Sequence, residues 1–325
     1  MKILVTGGGG YLGSVLVPKL LKKKHQVNVL DLFIYGQQVL DANENLQIFK
    51  GDIRDMQILK KALADCETVI HLACISNDPS FELNPKLGKS INLDSFEPLV
   101  KASVESGVNR FIYASSSSVY GIKSEKNVTE DMSLSPLTDY SKFKAVCEKI
   151  LLKYKSKNFI TTSVRSATLC GYSRRQRLDL IVNIFANQGF NNKKINVYGG
   201  DQLRPNIHIE DIADFYLFLL DQNSSLINGE VYNVGYDNYP VLKIAEIVKE
   251  QLGDYVNITK VPTDDLRSYH ISSEKVQKQL KFFPKKTIKE GINDLKIAFE
   301  KKILIKPLDN KYYYNIRRMK EINLT

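Results

Sequence analysis

The stretch "KILVTGGGGYLG", residues 2–13, constrains this chain more than any other. A short β-type run enters a glycine cluster directly, and a segment of helical period follows at once. Gly7, Gly10 and Gly13 give a GxxGxxG spacing, while Gly8, Gly10 and Gly13 also fit GxGxxG. Both spacings serve one physical need: a tight turn, a backbone that comes close to a pyrophosphate, and helix N–H groups aimed at it. About twenty residues on, Asp31 closes the second strand-like run. An acid there accepts hydrogen bonds from an adenosine ribose 2′-hydroxyl and repels a 2′-phosphate, so NAD is favoured over NADP. The plain alternative is a structural glycine turn with Asp31 capping a local backbone. "GDIRD" at 51–55 ends a third strand, where Asp52 and Ile53 are expected to frame the adenine.

The first 170 residues alternate such runs with helix-period segments. "KILVT" (2–6), "QVNVL" (26–30), "LQIFK" (46–50), "TVIHLA" (68–73), "RFIYAS" (110–115) and "ITTSVR" (160–165) are short and β-branched-rich, as parallel strands buried on both faces are. Helical stretches at 11–24, 55–64, 89–106 and 137–156 lie between most of them. The pattern predicts an α/β fold, a Rossmann-type doubly wound parallel sheet. Beyond about residue 170 the rhythm loosens into helices at 178–189, 241–252 and 287–300, "KINVYGG", the amphipathic "IHIEDIADFYLFLL" and a short strand near 257–261. "EVYNVG" reads as one more strand of the main sheet. The expected division is a dinucleotide-binding domain over 1–170, rejoined by about 207–235, with a smaller α/β lobe from 171–206 and 236–325 covering a substrate.

Composition excludes several classes. Of 325 residues, 43% are hydrophobic and 25% charged, ordinary for a chain that buries a real core. The net charge of +10 is spread along most of the length, and no helix carries the basic stripe with interleaved aromatics that nucleic-acid binding needs. Cys66, Cys74, Cys147 and Cys170 form no CxxC pair and sit in apolar surroundings, and the four histidines are scattered. Neither a disulfide frame nor a metal centre is expected. "MKILVTGG" enters a strand at its second residue and no apolar run is long enough to span a bilayer, so the expectation is a cytoplasmic protein without a membrane partner.

Two stretches carry candidate chemistry. "RFIYASSSSVYG" at 110–121 places Ser115 to Ser118 after a strand, where ligands of such sheets sit, rather than in a linker. Downstream, "SPLTDYSKFKAVCEKI" has helical spacing, so Tyr140 and Lys144 share one face. A tyrosine is a poor base at neutral pH unless its phenolate is stabilised. A lysine one turn away and a cationic nicotinamide both do that, and a shift of about 3 units asks for about 4 kcal/mol.

"TGGGGYLG", Asp31, "HLA" at 71–73, "SSSSVYG", Tyr140-x-x-x-Lys144 and "RPNIHIEDIADF" at 204–215, in that order, resemble the extended short-chain dehydrogenase/reductases, the nucleotide-sugar epimerase and dehydratase family. The resemblance covers nearly the whole chain and implies roles. Ser116, Tyr140 and Lys144 are the catalytic set, with Tyr140 the base and Lys144 on the nicotinamide ribose. Tyr11, Leu12, Leu72 and Ala73 join the glycines, Asp31, Asp52 and Ile53 around NAD. A nucleoside-diphosphate sugar is implied as substrate, near Ser116, Ser118, Asn183, Arg204 and Arg267. Helices 89–106 and 140–156 are similar to those that pair two subunits, which implies a homodimer.

The resemblance also narrows the reaction. The 4,6-dehydratases of the family carry an Asp-Glu pair directly after the catalytic threonine; here those positions are Ser117 and Ser118. Elimination then lacks its general acid and base. What remains is 4-epimerisation, 4-oxidation or 4-keto reduction, the first being the leading reading. A non-catalytic NAD-binding sensor on the same sheet is the alternative of another class, and the intact Ser116, Tyr140 and Lys144 speak against it. Two departures stand out. Arg165-Ser166-Ala167-Thr168 puts threonine where many relatives have a substrate-facing asparagine, and "GYSRRQRLDLIVN" with "ISNDPSFELNP" resembles a bacterial subgroup linked to surface polysaccharides. Asn77, Asp78 and the Arg174–Arg177 cluster therefore face either an unusual sugar or base, or only solvent and loop caps.

Overall fold

Successive strand side chains point to opposite faces. Accordingly Ile3 and Val5 of β1 (Lys2–Thr6) enter one apolar cluster while Leu4 enters another. This computed structural model describes residues 1–36, 38–264 and 268–324. The further strands are β2 (Gln26–Asp31), β3 (Leu46–Lys50), β4 (Thr68–His71), β5 (Arg110–Ala114), β6 (Ile160–Ser166), β7 (Thr168–Cys170) and β8 (Lys194–Tyr198). They continue with β9 (Leu203–His208), β10 (Glu230–Val234), β11 (Asp237–Pro240) and β12 (Asn257–Val261). The helices of the first half are α1 (Gly13–Lys22), α2 (Met56–Leu63), α3 (Asp78–Leu83), α4 (Pro85–Lys89), α5 (Phe96–Glu105) and α6 (Asp139–Lys153). Those of the second are α7 (Ile181–Asn192), α8 (Ile209–Leu220), α9 (Ser224–Ile227), α10 (Val241–Leu252), α11 (Glu274–Leu280), α12 (Ile288–Glu300) and α13 (Asn315–Glu321).

Seven strands form the main sheet in the order β10-β6-β5-β4-β1-β2-β3, every pairing parallel. Strand order reverses between β1 and β4, and the crevice beyond their carboxyl ends is where such sheets bind ligands. One face is covered by α1 and α8, through Leu16, Leu20, Ile212 and Phe215. The other is covered by α2, α5 and α6, through Leu59, Phe96, Leu99 and Leu151. This is the Rossmann-type doubly wound sheet expected from the pattern. A third cluster joins α7, α10 and α12 around β8 and β12, through Phe185, Ile244, Val248 and Leu295. β7, β9 and β11 make a separate three-stranded sheet between the two regions.

Two local expectations differ from the structure. β3 is not buried on both faces: it is the sheet edge, and Ile48 is 45% exposed. The expected helix over 89–106 is broken by a π-helical turn at Ser90–Asp94. Its Asn92 amide accepts from Ile75 N–H at 2.8 Å and donates to Ile75 O at 2.9 Å, so side-chain bonds to a distant loop reshape the helix. The C-terminal residues fold back on the first half. Met319 of α13 is buried with Leu4 and Phe81, and Arg318 Nε donates to Ile34 O at 2.6 Å.

Candidate active site

The glycine turn leaves β1 with Gly7 at φ +74°, and its carbonyl accepts from Gly10 N–H at 3.0 Å. A Cβ on Gly7 would lie 2.6 Å from Ala73 N, and one on Gly13 would lie 2.5 Å from Gly7 O and the Gly8 backbone. Backbone cannot give way at such distances, so both positions need glycine. α1 therefore begins against the end of β1, with no acidic side chain in its first turn. At the tip of β2, Asp31 Oδ2 accepts from Gly9 N–H at 2.9 Å and Oδ1 from Phe33 N–H at 2.6 Å. Burial pushes the Asp31 carboxyl up despite these bonds.

Gly7, Gly10, Tyr11, Leu12, Gly13, Asp31, Asp52, Ile53, Leu72, Ala73, Tyr140 and Lys144, all expected around the cofactor, line one cleft of ≈ 1250 Å³ with its mouth included. Within it, the Tyr11 hydroxyl donates to Gly171 O at 2.6 Å, and Asp52 is paired with Arg54 at 2.6 Å. The cleft ends at the carboxyl tip of β5. There Ser116 caps a 3₁₀ turn (Ser117–Tyr120), accepting from Ser118 N–H at 3.2 Å. Four hydroxyls form a chain: Ser116 to Ser118 at 2.9 Å, Ser118 to Ser141 at 2.9 Å, Ser141 to Thr138 at 2.9 Å, and Thr138 to the Asp78 carboxylate. At its other end Ser116 faces the Tyr140 phenol and favours its ionised form.

Lys144 Nζ donates to Ala114 O at 2.6 Å and lies 5.8 Å from the Tyr140 ring centroid. Burial raises the Tyr140 phenol well above its ordinary value near 10, with Cys74 and Asp78 adding to the rise. The Arg177 charge and the Ser116 hydroxyl oppose it. This is the reverse of the shift expected from Lys144 next door. The physical reason is that the ammonium is held on a backbone carbonyl while the phenol sits in a low-dielectric wall.

Other expected residues lie elsewhere. Asn183 is fully buried on α7 and does not line the cleft. Its amide accepts from Gly171 N–H at 3.1 Å and donates to Tyr11 Oη at 2.9 Å and Arg177 O at 2.8 Å. Arg204, on β9, is half-buried, donates to Leu203 O at 2.9 Å and stands 5.1 Å over the Tyr269 ring. Arg267 lies outside the described residues. Asn77 caps α3, accepting from Ser80 N–H at 3.0 Å.

The Arg174–Arg177 cluster splits: Arg174 faces Asp41 at the surface, whereas Arg175 and Arg177 enter the cleft. Tyr35, Ser76, Ile91 and Tyr216 also line it without having been singled out, and Cys74, expected in the core, stands on its wall. Tyr35, Cys74 and Ser76 lie on loops that carry no periodic signal, while Ile91 and Tyr216 sit on helical segments whose period marks burial but not a site. The glycine cradle, an acid at the ribose position and buried guanidinium nitrogens fit a dinucleotide. Among the described residues no group of three His, Cys, Asp or Glu could hold a metal ion, and no helix is long and apolar enough to cross a membrane.

Comparison with known proteins bears on this cleft. The family model described as "NAD dependent epimerase/dehydratase family" matches residues 3–235. A UDP-glucose 4-epimerase of Lactobacillus helveticus is 27% identical over 281 residues, 81% of this chain and 85% of its own. The low-salt glycan biosynthesis protein Agl12 of Haloferax volcanii is 28% identical over 243 residues, 72% of this chain and 77% of its own. DesIV, a dTDP-glucose 4,6-dehydratase of Streptomyces venezuelae crystallised with NAD, is 24% identical with a TM-score of 0.85, over 95% of this chain and all (100%) of that one.

Proposed function

Because the chain belongs to the NAD dependent epimerase/dehydratase family, an NAD-dependent family of enzymes acting on nucleotide sugars, we propose that it is a nucleotide-sugar 4-epimerase working through a 4-keto sugar. One observation carries the reading: Ser116, Tyr140 and Lys144 meet at the inner end of the dinucleotide cleft, with serines rather than carboxylates at 117 and 118. NAD, held by the glycine turn, Asp31 and Lys144, would supply the hydride acceptor and donor for sugar C4. Tyr140 takes the proton of the 4-hydroxyl as its base, and Ser116, beside it, aligns that hydroxyl. The phenol is held high by burial, so the reaction needs a cation beside it; Lys144 and the oxidised nicotinamide are the two candidates. The hydroxyl chain from Ser116 to Asp78 offers the phenol proton a way off Tyr140 before the first turnover; over a full cycle Tyr140 gains one proton and gives one back. The 4-keto sugar turns in its pocket, and Tyr140 returns the proton as the other face is reduced.

The glycan-synthesis relative and the resemblance of "GYSRRQRLDLIVN" support a role in making sugars for a surface polysaccharide. The same reading includes a homodimer through α5 and α6, whose outer faces expose Val104, Val146 and Leu152. The test is a panel of UDP-, GDP-, CDP- and dTDP-sugars followed by product NMR and absorbance at about 340 nm, the reduced nicotinamide band. Epimer formation without net NADH supports the reading. Stoichiometric NADH with a 4-keto product would make the protein a 4-dehydrogenase instead, and loss of the C6 hydroxyl would make it a dehydratase.

A further inference from the structure

Between β7 and α7 the chain docks on the first turn of α1. Ser173 Oγ donates to Tyr11 O at 2.9 Å, and Arg175 N–H donates to Ser14 Oγ at 3.3 Å. That docking turns Arg175 and Arg177 inward, and they are only 3% and 7% exposed. The Arg175 guanidinium lies 3.9 Å over the Tyr35 ring and donates to Gln176 O and Asn315 Oδ1. Arg177 donates to Asp179 at 2.8 Å and to Ser76 Oγ at 3.3 Å. Arg175 Nε and Arg177 Nη2, both buried, have no hydrogen-bond partner among the described residues.

Among the described residues only Arg177 of the two has a direct salt bridge. Asp179 is paired with Arg177, and both Asp31 oxygens already accept backbone N–H groups. Burial, and then the neighbouring Arg177, push the Arg175 guanidinium down to about 10. Buried guanidiniums with open donors, one of them without a direct carboxylate partner, are costly unless an anion joins them. The cofactor of this family is NAD, whose anionic part is its pyrophosphate, and the glycine turn holds that part at the start of α1.

We propose that Arg175 and Arg177 are a two-guanidinium clamp on the NAD pyrophosphate, closing over it opposite the glycine turn. The clamp has a strap behind it. Asn315 of α13 receives Arg175, donates to Ser76 Oγ at 3.0 Å, and gives its N–H to Asp179 at 2.9 Å. One residue of the C-terminal tail thus braces both arginines, and NAD leaves only when that tail lifts. The cofactor is therefore retained through many turnovers, as a reaction that returns its own hydride requires. A substrate diphosphate fits less well, since Arg175 is bonded to α1 and stacked on Tyr35, beside Asp31 at the ribose end.

Calorimetric titration of NAD-stripped protein with NAD, ADP, adenosine, UDP and dTDP tests this without any turnover. Arg175→Met and Arg177→Met should each weaken NAD and ADP by about tenfold or more, since hydrogen bonds to charged groups carry that much, and leave adenosine within about twofold. Arg175→Lys and Arg177→Lys keep the buried charge should the methionine variants not fold. They lose the fork and should show the same order with a loss of about threefold or more. Asn315→Ala should speed NAD release with adenosine affinity unchanged. Unaltered NAD and ADP affinities in folded variants would overturn the clamp, as would a loss confined to UDP or dTDP. The proposal rests on NAD being the cofactor, not on epimerisation. A protein that binds NAD through these arginines yet epimerises nothing would refute only the proposed reaction.

Discussion

Glu148→Ala tests how α6, the helix that carries Tyr140 and Lys144, is held. On α6, Glu148 stands one turn beyond Lys144 and points at the sheet. Its carboxylate accepts from Arg165 Nε at 3.0 Å and Nη2 at 2.7 Å, and from Ser115 Oγ. Arg165 Nη1 donates to Tyr120 Oη at 2.7 Å, and Tyr120 Oη donates to Asn233 Oδ1 at 2.8 Å. The ends of β5, β6 and β10 are thus tied to α6 through one forked ion pair whose side chains are 5% and 6% exposed. Burial works against the Arg165 charge, and the Glu148 carboxylate more than reverses it, holding the guanidinium above its ordinary range.

An exposed pair of this kind would be worth about 0–1 kcal/mol, but removing one member of a buried pair costs about 3–5 kcal/mol. Ser115 also loses its acceptor, at about 1 kcal/mol. Against this, the adjoining cavity lined by Glu148, Thr161, Arg165 and Glu230 lets water reach the orphaned guanidinium. The lower end, about 3 kcal/mol, is therefore expected. Urea unfolding of cofactor-free protein, followed by circular dichroism, reads it. The double variant Glu148→Met, Arg165→Met should recover at least about half the loss, because two apolar chains leave no buried charge unpaired. A loss below about 1 kcal/mol in Glu148→Ala, or a double variant no more stable than the single one, would refute the reasoning.

Tyr140→Phe should lower single-turnover NADH formation by about 10²–10⁴ and Ser116→Ala by about the lower figure, each with NAD affinity within about threefold, as loss of proton transfer requires. Gly13→Ala forces a Cβ to 2.5 Å from backbone and should cost about 3 kcal/mol in stability and weaken NAD; a calorimetric NAD titration matching the parent would contradict it. His71, buried and bonded to Thr6 Oγ1 at 2.6 Å, has its imidazole pushed down to about 3 by burial, with Lys144 adding to it. The unfolded chain, titrating near 6.5, then binds more protons than the folded one between those values, so stability is lost as pH falls through that window, by about 1.4 kcal/mol per unit. His71→Gln should flatten that acid slope in urea melts at stepped pH, and an unchanged slope would rule His71 out as its source.

What the sequence made legible is what depends on neighbours in the chain. Gly7 to Gly13, Asp31 and the pair Tyr140 and Lys144 declare themselves by spacing, because a turn, a strand end and one helical turn are local geometries. β3 was misread for the opposite reason: "LQIFK" has the composition of an inner strand, and only its place beside β2 with no strand beyond leaves Ile48 exposed. The helix over 89–106 was misread because Asn92 bonds to Ile75, and no helix-period count contains that bond. The arginines are the sharpest case. In "YSRRQR" the three cations are alike, and an exposed basic run is the plain reading. Which of them turns inward is decided by the bonds of Ser173 to Tyr11, of Arg175 N–H to Ser14, and of Asn315, 140 positions further on, to the Arg175 guanidinium. Arg174, left outside that set, meets Asp41 at the surface. A cluster of like charges becomes a binding site only where distant chain holds it out of water against its own repulsion, and the groups that do so here are an α1 serine and a C-terminal asparagine.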